Sequence, residues 1–140
     1  MKIIIRAVGK LRDRRMEELC RDYLDRVRRH VPVEMAEVES DEALVRQLPA
    51  GADLVALEPG GAAWTTADLI RFFSERMLHG TRAVVFLIGG ADGLPPAAVA
   101  GANRRLSLSP LTLPHRLARV ILCEQIYRCM SAIRGEPYNR

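Results

Sequence analysis

The sequence predicts an α/β domain built on a mostly parallel sheet flanked by helices. Two observations carry that expectation. Short apolar runs alternate along the chain with longer segments of helical periodicity, the pattern of strands joined by crossover helices. Capping and stop residues fall at several helix ends, so the punctuation agrees with the periodicity. No Gly/Ser linker, repeat or low-complexity tract divides the chain, and residues 1–140 read as one domain.

Taken in order, the first strand is expected over Lys2–Val8, around the apolar run Ile3, Ile4 and Ile5. A helix over residues 13–30 leads to a second strand at Val33–Val38. A further helix over 41–48 precedes a strand at 53–57. The next helix spans 65–79, with Thr65 or Thr66 able to cap its first N–H groups and Gly80 ending it. The fourth strand, Ala83–Ile88, is the other long apolar run. A helix over 95–104 and a short strand at 106–108 come next. The last helix, 114–134, is stopped by Gly135 and Pro137.

With 140 residues, 49% of them apolar, the chain can bury a sizeable core. Its apolar runs are far shorter than the roughly 20 residues a membrane span requires. The first residues lack an apolar stretch of signal-peptide length, because Arg12, Asp13, Arg14 and Arg15 intervene, so the protein reads as cytoplasmic and membrane-free. Cys20, Cys123 and Cys129 lack the close pairing of a zinc site or redox dithiol; they read as buried thiols, and no metal is expected. The net charge is +4, and Lys2 and Lys10 are the only lysines beside many arginines. Arginine forks suit phosphate, so a basic surface permits an RNA partner without demonstrating one.

Two segments have the makings of a binding site. Phe86-Leu87-Ile88-Gly89-Gly90-Ala91-Asp92-Gly93 is a strand running straight into three glycines, which fits an ordinary tight turn or a loop where backbone approaches a ligand. It matches neither the dinucleotide fingerprint nor a phosphate loop. Leu106-Ser107-Leu108-Ser109-Pro110-Leu111-Thr112-Leu113-Pro114-His115 is apolar yet cannot be regular throughout, because both prolines lack a donor. Such a segment is expected to be buried with its backbone bonded to chain or ligand, as a core loop or as the lining of an adenine pocket.

The last helix carries Leu122, Ile126, Cys129 and Ile133 on one face and Leu117, Val120, Ile121 and Met130 on another. Burial from two directions admits a second subunit. Glu124 and Arg128 lie four apart, as an ion pair or with Arg128 free for a phosphate. His115, at the start of that helix, caps a turn or touches substrate. The tail Glu136-Pro137-Tyr138-Asn139-Arg140 offers an aromatic ring for stacking and an arginine for phosphate, or simply frays.

Taken together, these residues resemble the ribosomal RNA large subunit methyltransferase H family of the SPOUT superfamily, over essentially the whole chain. The resemblance rests on Ala7-Val8-Gly9-Lys10, on Leu57-Glu58-Pro59-Gly60-Gly61-Ala62-Ala63-Trp64, on Leu87 to Gly93, on Leu106 to His115, and on Tyr127-Arg128 with Pro137-Tyr138. It implies a SPOUT-type α/β knot with a deep C-terminal trefoil, S-adenosyl-L-methionine as cofactor, and a homodimer whose interface admits RNA. It implies methyl transfer to N3 of a pseudouridine in 23S rRNA within the assembled ribosome. Leu57, Gly89, Gly90, Leu108, Ser109, Pro110, Leu111, Thr112 and Leu113 would hold the cofactor. His115, Tyr138 and Arg140 are the catalytic candidates, and His115, Arg128, Tyr138, Asn139 and Arg140 the substrate-binding ones.

The chain departs from the family pattern twice. Asn139 stands where the family's tail has histidine, and Gly61-Ala62 where its middle block has Gly-Lys. An amide cannot titrate near neutrality, so Asn139 is no general base. That leaves two alternatives: a SPOUT-fold methyltransferase acting on another RNA, or a catalytically weakened ribosome-binding module.

Overall fold

The computed structural model describes residues 1–139. Five strands, β1 (Lys2–Val8), β2 (Val33–Val38), β3 (Asp53–Ala63), β4 (Ala83–Ile88) and β5 (Arg104–Ser107), form one sheet in the order β2-β1-β4-β3-β5. Every pairing in it is parallel. The helices are α1 (Arg14–Val27), α2 (Thr66–Leu78), α3 (Pro96–Gly101) and α4 (His115–Ile133). All six residues of β4 are buried, as a central strand covered on both faces demands.

Alternation along β1 and β4 sends side chains to two unequal cores. Ile3, Ile5, Phe86 and Ile88 join Leu24 of α1, Phe73 of α2 and Leu122 and Ile126 of α4 on one face. Ile4, Val85 and Leu87 meet Leu44 and Ala98 on the other, with partly buried Val38, Leu48, Leu54 and Leu94 around them, a thinner layer. Val120 and Met130 of α4's second apolar face belong to the larger core, whereas Ile121 is only partly buried and Leu117 is exposed.

Local chemistry sets the helix starts. Asp13 caps α1 by accepting from the N–H groups of Arg15 at 3.0 Å and Met16 at 3.2 Å. Thr65, rather than Thr66, caps α2 in a reciprocal pair with Asp68. Both α2 and α4 end just before the expected stops at Gly80 and Gly135.

The expected helix over 41–48 is absent; only a 3₁₀ turn forms, at Glu42–Val45. Asp41 makes no side-chain cap, and Arg6 reaches across from β1 to donate to the carbonyls of Ala43, Leu44 and Arg46. Those carbonyls are the acceptors that a continuing helix would need. The third strand runs six residues past its expected end at Leu57, because it bulges between Leu57 and Ala62 and then pairs again with Leu106 and Ser107. Gly61 makes this possible: a Cβ there would lie 2.7 Å from the Arg105 carbonyl carbon and the Leu106 nitrogen. The helix expected over 95–104 stops at Gly101 and β5 starts at Arg104, because Asn103 already bonds β3, accepting from Leu54 N–H at 2.7 Å and donating to its carbonyl at 2.9 Å.

Among the described residues no helix is long and apolar enough to cross a membrane. The three cysteines are free and buried.

Gly61→Ala should force β3 away from β5 and lower stability by about 1–3 kcal/mol, the usual cost of overpacking. Urea unfolding of the variant beside the parent chain measures it, and an unchanged midpoint would show that the bulge yields freely.

Candidate functional site

Because all five strands run in one direction, the carboxyl ends of β3, β4 and β5 open on one edge of the sheet. The segments leaving them enclose a cleft of about 680 Å³. From β4 come Ile88, Gly89 and Gly90. The chain then reverses, with Gly93 N–H donating to the Gly90 carbonyl at 3.0 Å. A Cβ on Gly89 would lie 2.2 Å from the Gly93 carbonyl carbon and 2.4 Å from the Leu94 nitrogen, so no side chain fits. The glycine segment is therefore a tight turn, and that turn borders the cleft.

Leu57, Glu58 and Pro59 enter from β3. Leu108, Ser109, Leu111, Thr112 and Leu113 line the side that comes after β5, whereas Pro110 does not. The expectation that this segment is buried fails at its centre: Leu111 is 74% exposed, and Pro110 and Thr112 are exposed with it. Its backbone finds partners without burial. Ser107 Oγ donates to the Ser109 carbonyl at 2.9 Å, and Ser109 Oγ accepts from Leu111 N–H at 2.9 Å.

His115 and Ala118 close the cleft from the first turn of α4. Desolvation, and after it the charges of Arg119 and Arg116, hold the His115 imidazole below its ordinary pKa. At neutral pH the ring is uncharged and can accept a hydrogen bond.

The tail residues gather elsewhere. Arg128 binds Glu124 through Nε at 2.8 Å and Nη2 at 2.7 Å, so the ion pair read from their spacing forms. The Tyr138 hydroxyl donates to the same carboxylate at 3.2 Å, its ring lies 4.6 Å from that of Tyr127, and the Arg128 guanidinium sits 4.9 Å over it. Asn139 Oδ1 accepts from Arg128 at 3.4 Å. Burial first, then bonding to Tyr23 and Glu124, pushes the Tyr138 phenol up to about 12, so it stays protonated at neutral pH. Arg140 lies outside the described residues. Arg128 comes thirteen positions after His115 on one unbroken helix, which separates them by about 20 Å along its axis. One chain therefore does not bring its two groups of candidates together.

Three participants carried no sequence signal strong enough to single them out. Glu58 and Asp92 bring carboxylates to the cleft. Arg119, with no exposed surface, donates from Nη1 to Glu37 at 2.8 Å and from Nη2 to the carbonyls of Val8 at 3.0 Å and Gly9 at 2.6 Å. An arginine on an amphipathic helix ordinarily reads as surface, and only its partners reveal otherwise.

The cleft suits a nucleoside-bearing donor. Leucines supply apolar walls, the Gly89–Gly90 backbone is open to close approach, and two carboxylates border the space, Asp92 and a Glu58 that also pairs with Arg105 at 3.4 Å. A neighbouring concavity of about 610 Å³, between α3 and Arg104–Arg105, lacks the glycine turn. Among the described residues no group of three or more His, Cys, Asp or Glu side chains could hold a metal ion.

The family described as "Predicted SPOUT methyltransferase" matches residues 1–139. The chain belongs to the SPOUT methyltransferases. A relative from Sorangium cellulosum named ribosomal RNA large subunit methyltransferase H is 42% identical, covering 99% of each chain. Proteins of the same name from Solibacter usitatus and Gemmatimonas aurantiaca are each 39% identical, covering 100% of both chains. Two solved structures share the fold. A methylase-family protein from Neisseria gonorrhoeae has a TM-score of 0.58 at 14% identity, over 90% of this chain and 80% of that one. A protein assigned to the TrmH family of RNA methyltransferases, from Porphyromonas gingivalis, has 0.51 at 13%, over 88% and 58%. The SPOUT methyltransferase fold thus accounts for the parallel sheet and its flanking helices.

Gly89→Ala should destabilise the chain by about 1–3 kcal/mol, since the added methyl meets backbone rather than a yielding side chain; urea unfolding reads the difference. The His115 ring should titrate below about 6.5, its unperturbed value. Folding lowers this group's proton affinity, so its share of stability is complete above the unfolded pKa and is lost as pH falls through the folded one. An NMR titration of the ring protons checks the sign, and a midpoint above that of an unstructured peptide would contradict it.

Proposed function

We propose that this SPOUT methyltransferase uses S-adenosyl-L-methionine to methylate N3 of a pseudouridine in 23S rRNA of the assembled ribosome, acting in the cytoplasm as a homodimeric, single-domain enzyme with the trefoil knot of its family. The observation that carries the reading is the cleft where three strand ends meet around the Gly89 turn, in a chain matched end to end by relatives named for large-subunit rRNA.

In this reading Leu57, Leu108, Leu111 and Leu113 enclose the adenosine, while Ser109, Pro110 and Thr112 shape the segment that crosses it. Gly89 and Gly90 let backbone groups reach the donor, and Glu58 and Asp92 face its positive charge. When bound, S-adenosyl-L-methionine supplies an electrophilic methyl group on a sulfonium. The chain must align N3 with that methyl and receive the imide proton. The neutral His115 imidazole can accept the N3 proton or hold the base by hydrogen bonding.

The distance along α4 gives the homodimer its purpose. Arg128, Tyr138 and Asn139 lie too far from His115 to serve the same chain's cleft, and a second copy could present its tail there. Tyr138, kept as a phenol, can stack on or donate to a base, and Arg128 and Arg140 can hold phosphate. Asn139 favours the second reading, a weakened enzyme that binds the ribosome, because an amide can position but not deprotonate.

The test is transfer of labelled methyl from S-adenosyl-L-methionine to purified ribosomes lacking the modification, for the natural chain and for Asn139→His. Methylation of a large-subunit pseudouridine by the natural chain is the expected result. Activity confined to the variant would establish the weakened enzyme, and silence in both would overturn the ribosomal methylation reading in favour of another RNA target or a non-catalytic binding role.

A further inference from the structure

We propose that Arg119 is a positioning residue of the donor cleft, clamping the first turn of α4 to the end of β1 and so fixing the separation between the cleft's helical wall and its glycine floor. The proposal rests on the reading of the cleft as the methyl-donor site.

The side chain is among the largest wholly buried in the protein. Its contacts join three elements at the carboxyl edge of the sheet: the Val8 carbonyl that ends β1, the adjoining Gly9 carbonyl, and the Glu37 carboxylate near the end of β2. Glu37 extends the clamp by accepting from Leu11 N–H, which ties down the strand's exit. Arg119 comes directly after Ala118 and stands one turn beyond His115, and both of those line the cleft. The opposite connection runs through Val8: a Cβ on Gly90 would lie 3.7 Å from Val8 Cγ1 and 3.9 Å from the Val8 carbonyl oxygen. One carbonyl is therefore held by the arginine on one side and adjoined by the cleft's floor on the other.

Stability alone is a poor account of this arrangement. Removing a guanidinium from water is expensive, and Glu37, whose side chain is 37% exposed, repays that cost only in a solvent-screened pairing. Arg119 Nε has no partner among the described residues, a further cost. A fork holding two carbonyls and a carboxylate confers directionality, which a packed methionine would not. Binding geometry must be held to about half an ångström, and that is the tolerance such a clamp can enforce.

The experiment compares the parent with the double variant Arg119→Met/Glu37→Gln, which removes both charges while the amide still accepts from Leu11. Three measurements are made: the thermal midpoint, calorimetric binding of S-adenosylhomocysteine, and hydrogen exchange of the amides in residues 89–93 and 113–118. The double variant should unfold cooperatively near the parent midpoint, yet bind S-adenosylhomocysteine at least about tenfold more weakly and exchange faster in both segments. Unchanged affinity and exchange in the folded variant would overturn the proposal. Should the double variant not fold, Arg119→Lys decides: weakened binding is expected because lysine keeps the charge and loses the fork, and parental binding would overturn the clamp. A parent chain that fails to bind S-adenosylhomocysteine would sink the donor reading instead, and exchange alone would then show whether Arg119 holds the two walls together.

Discussion

β4 has no solvent face and no free edge. Its six residues are buried, β1 and β3 pair with it on either side, and both pairings are parallel. Fully burying each of its larger apolar side chains contributes about 1.5–3 kcal/mol, so this strand is firmly held. The segment that leaves its carboxyl end inherits that immobility. The Gly89 turn departs from the sheet at a fixed point, and parallel pairing brings the ends of β3 and β5 to the same edge. A binding cleft at that edge is a consequence of direction: antiparallel neighbours would have carried their loops to the far side.

The two faces of the sheet are covered unequally. Three helices lie on one face, while the other has a six-residue helix and a 3₁₀ turn. α4 belongs to the thick side and, at 19 residues, is about 28 Å long. Its first turn walls the cleft, and its far end carries the cluster of Glu124, Arg128 and Tyr138. A continuous helix is a rigid spacer, which is why the chemistry offered at its two ends belongs to two different places.

Local patterns read well. β1, β2 and β4 occupy the residues their apolar runs assign, and α2 and α4 begin and end within about two residues of their caps and stops. Readings failed where a distant residue intervened. Arg6 takes the carbonyls that would have continued a helix after Glu42, and β5 draws β3 onward through a bulge past Pro59. Burial of the segment after β5 was inferred from its apolar character, but its centre is exposed, where the serine hydroxyls bond one carbonyl and one N–H. Of the cleft, the glycine turn and the leucine-serine segment stood out because glycines and prolines constrain backbone wherever they occur, with an ordinary turn and a core loop left open. Leu57 came from the family resemblance, and Glu58 and Asp92 were missed. Within the leucine-serine segment Pro110 was the exception, standing outside the cleft its neighbours line.

By itself the sequence determined the α/β class, the strand and helix segments, and the glycine and leucine-serine segments that border the cleft. Those depend on periodicity and steric rules acting over a few residues. Tertiary structure decided the strand order, the burial of Arg119 against Val8, Gly9 and Glu37, and the separation of the tail from the cleft. Each of these joins residues far apart in the chain, and no local pattern encodes which distant carbonyl a guanidinium will find.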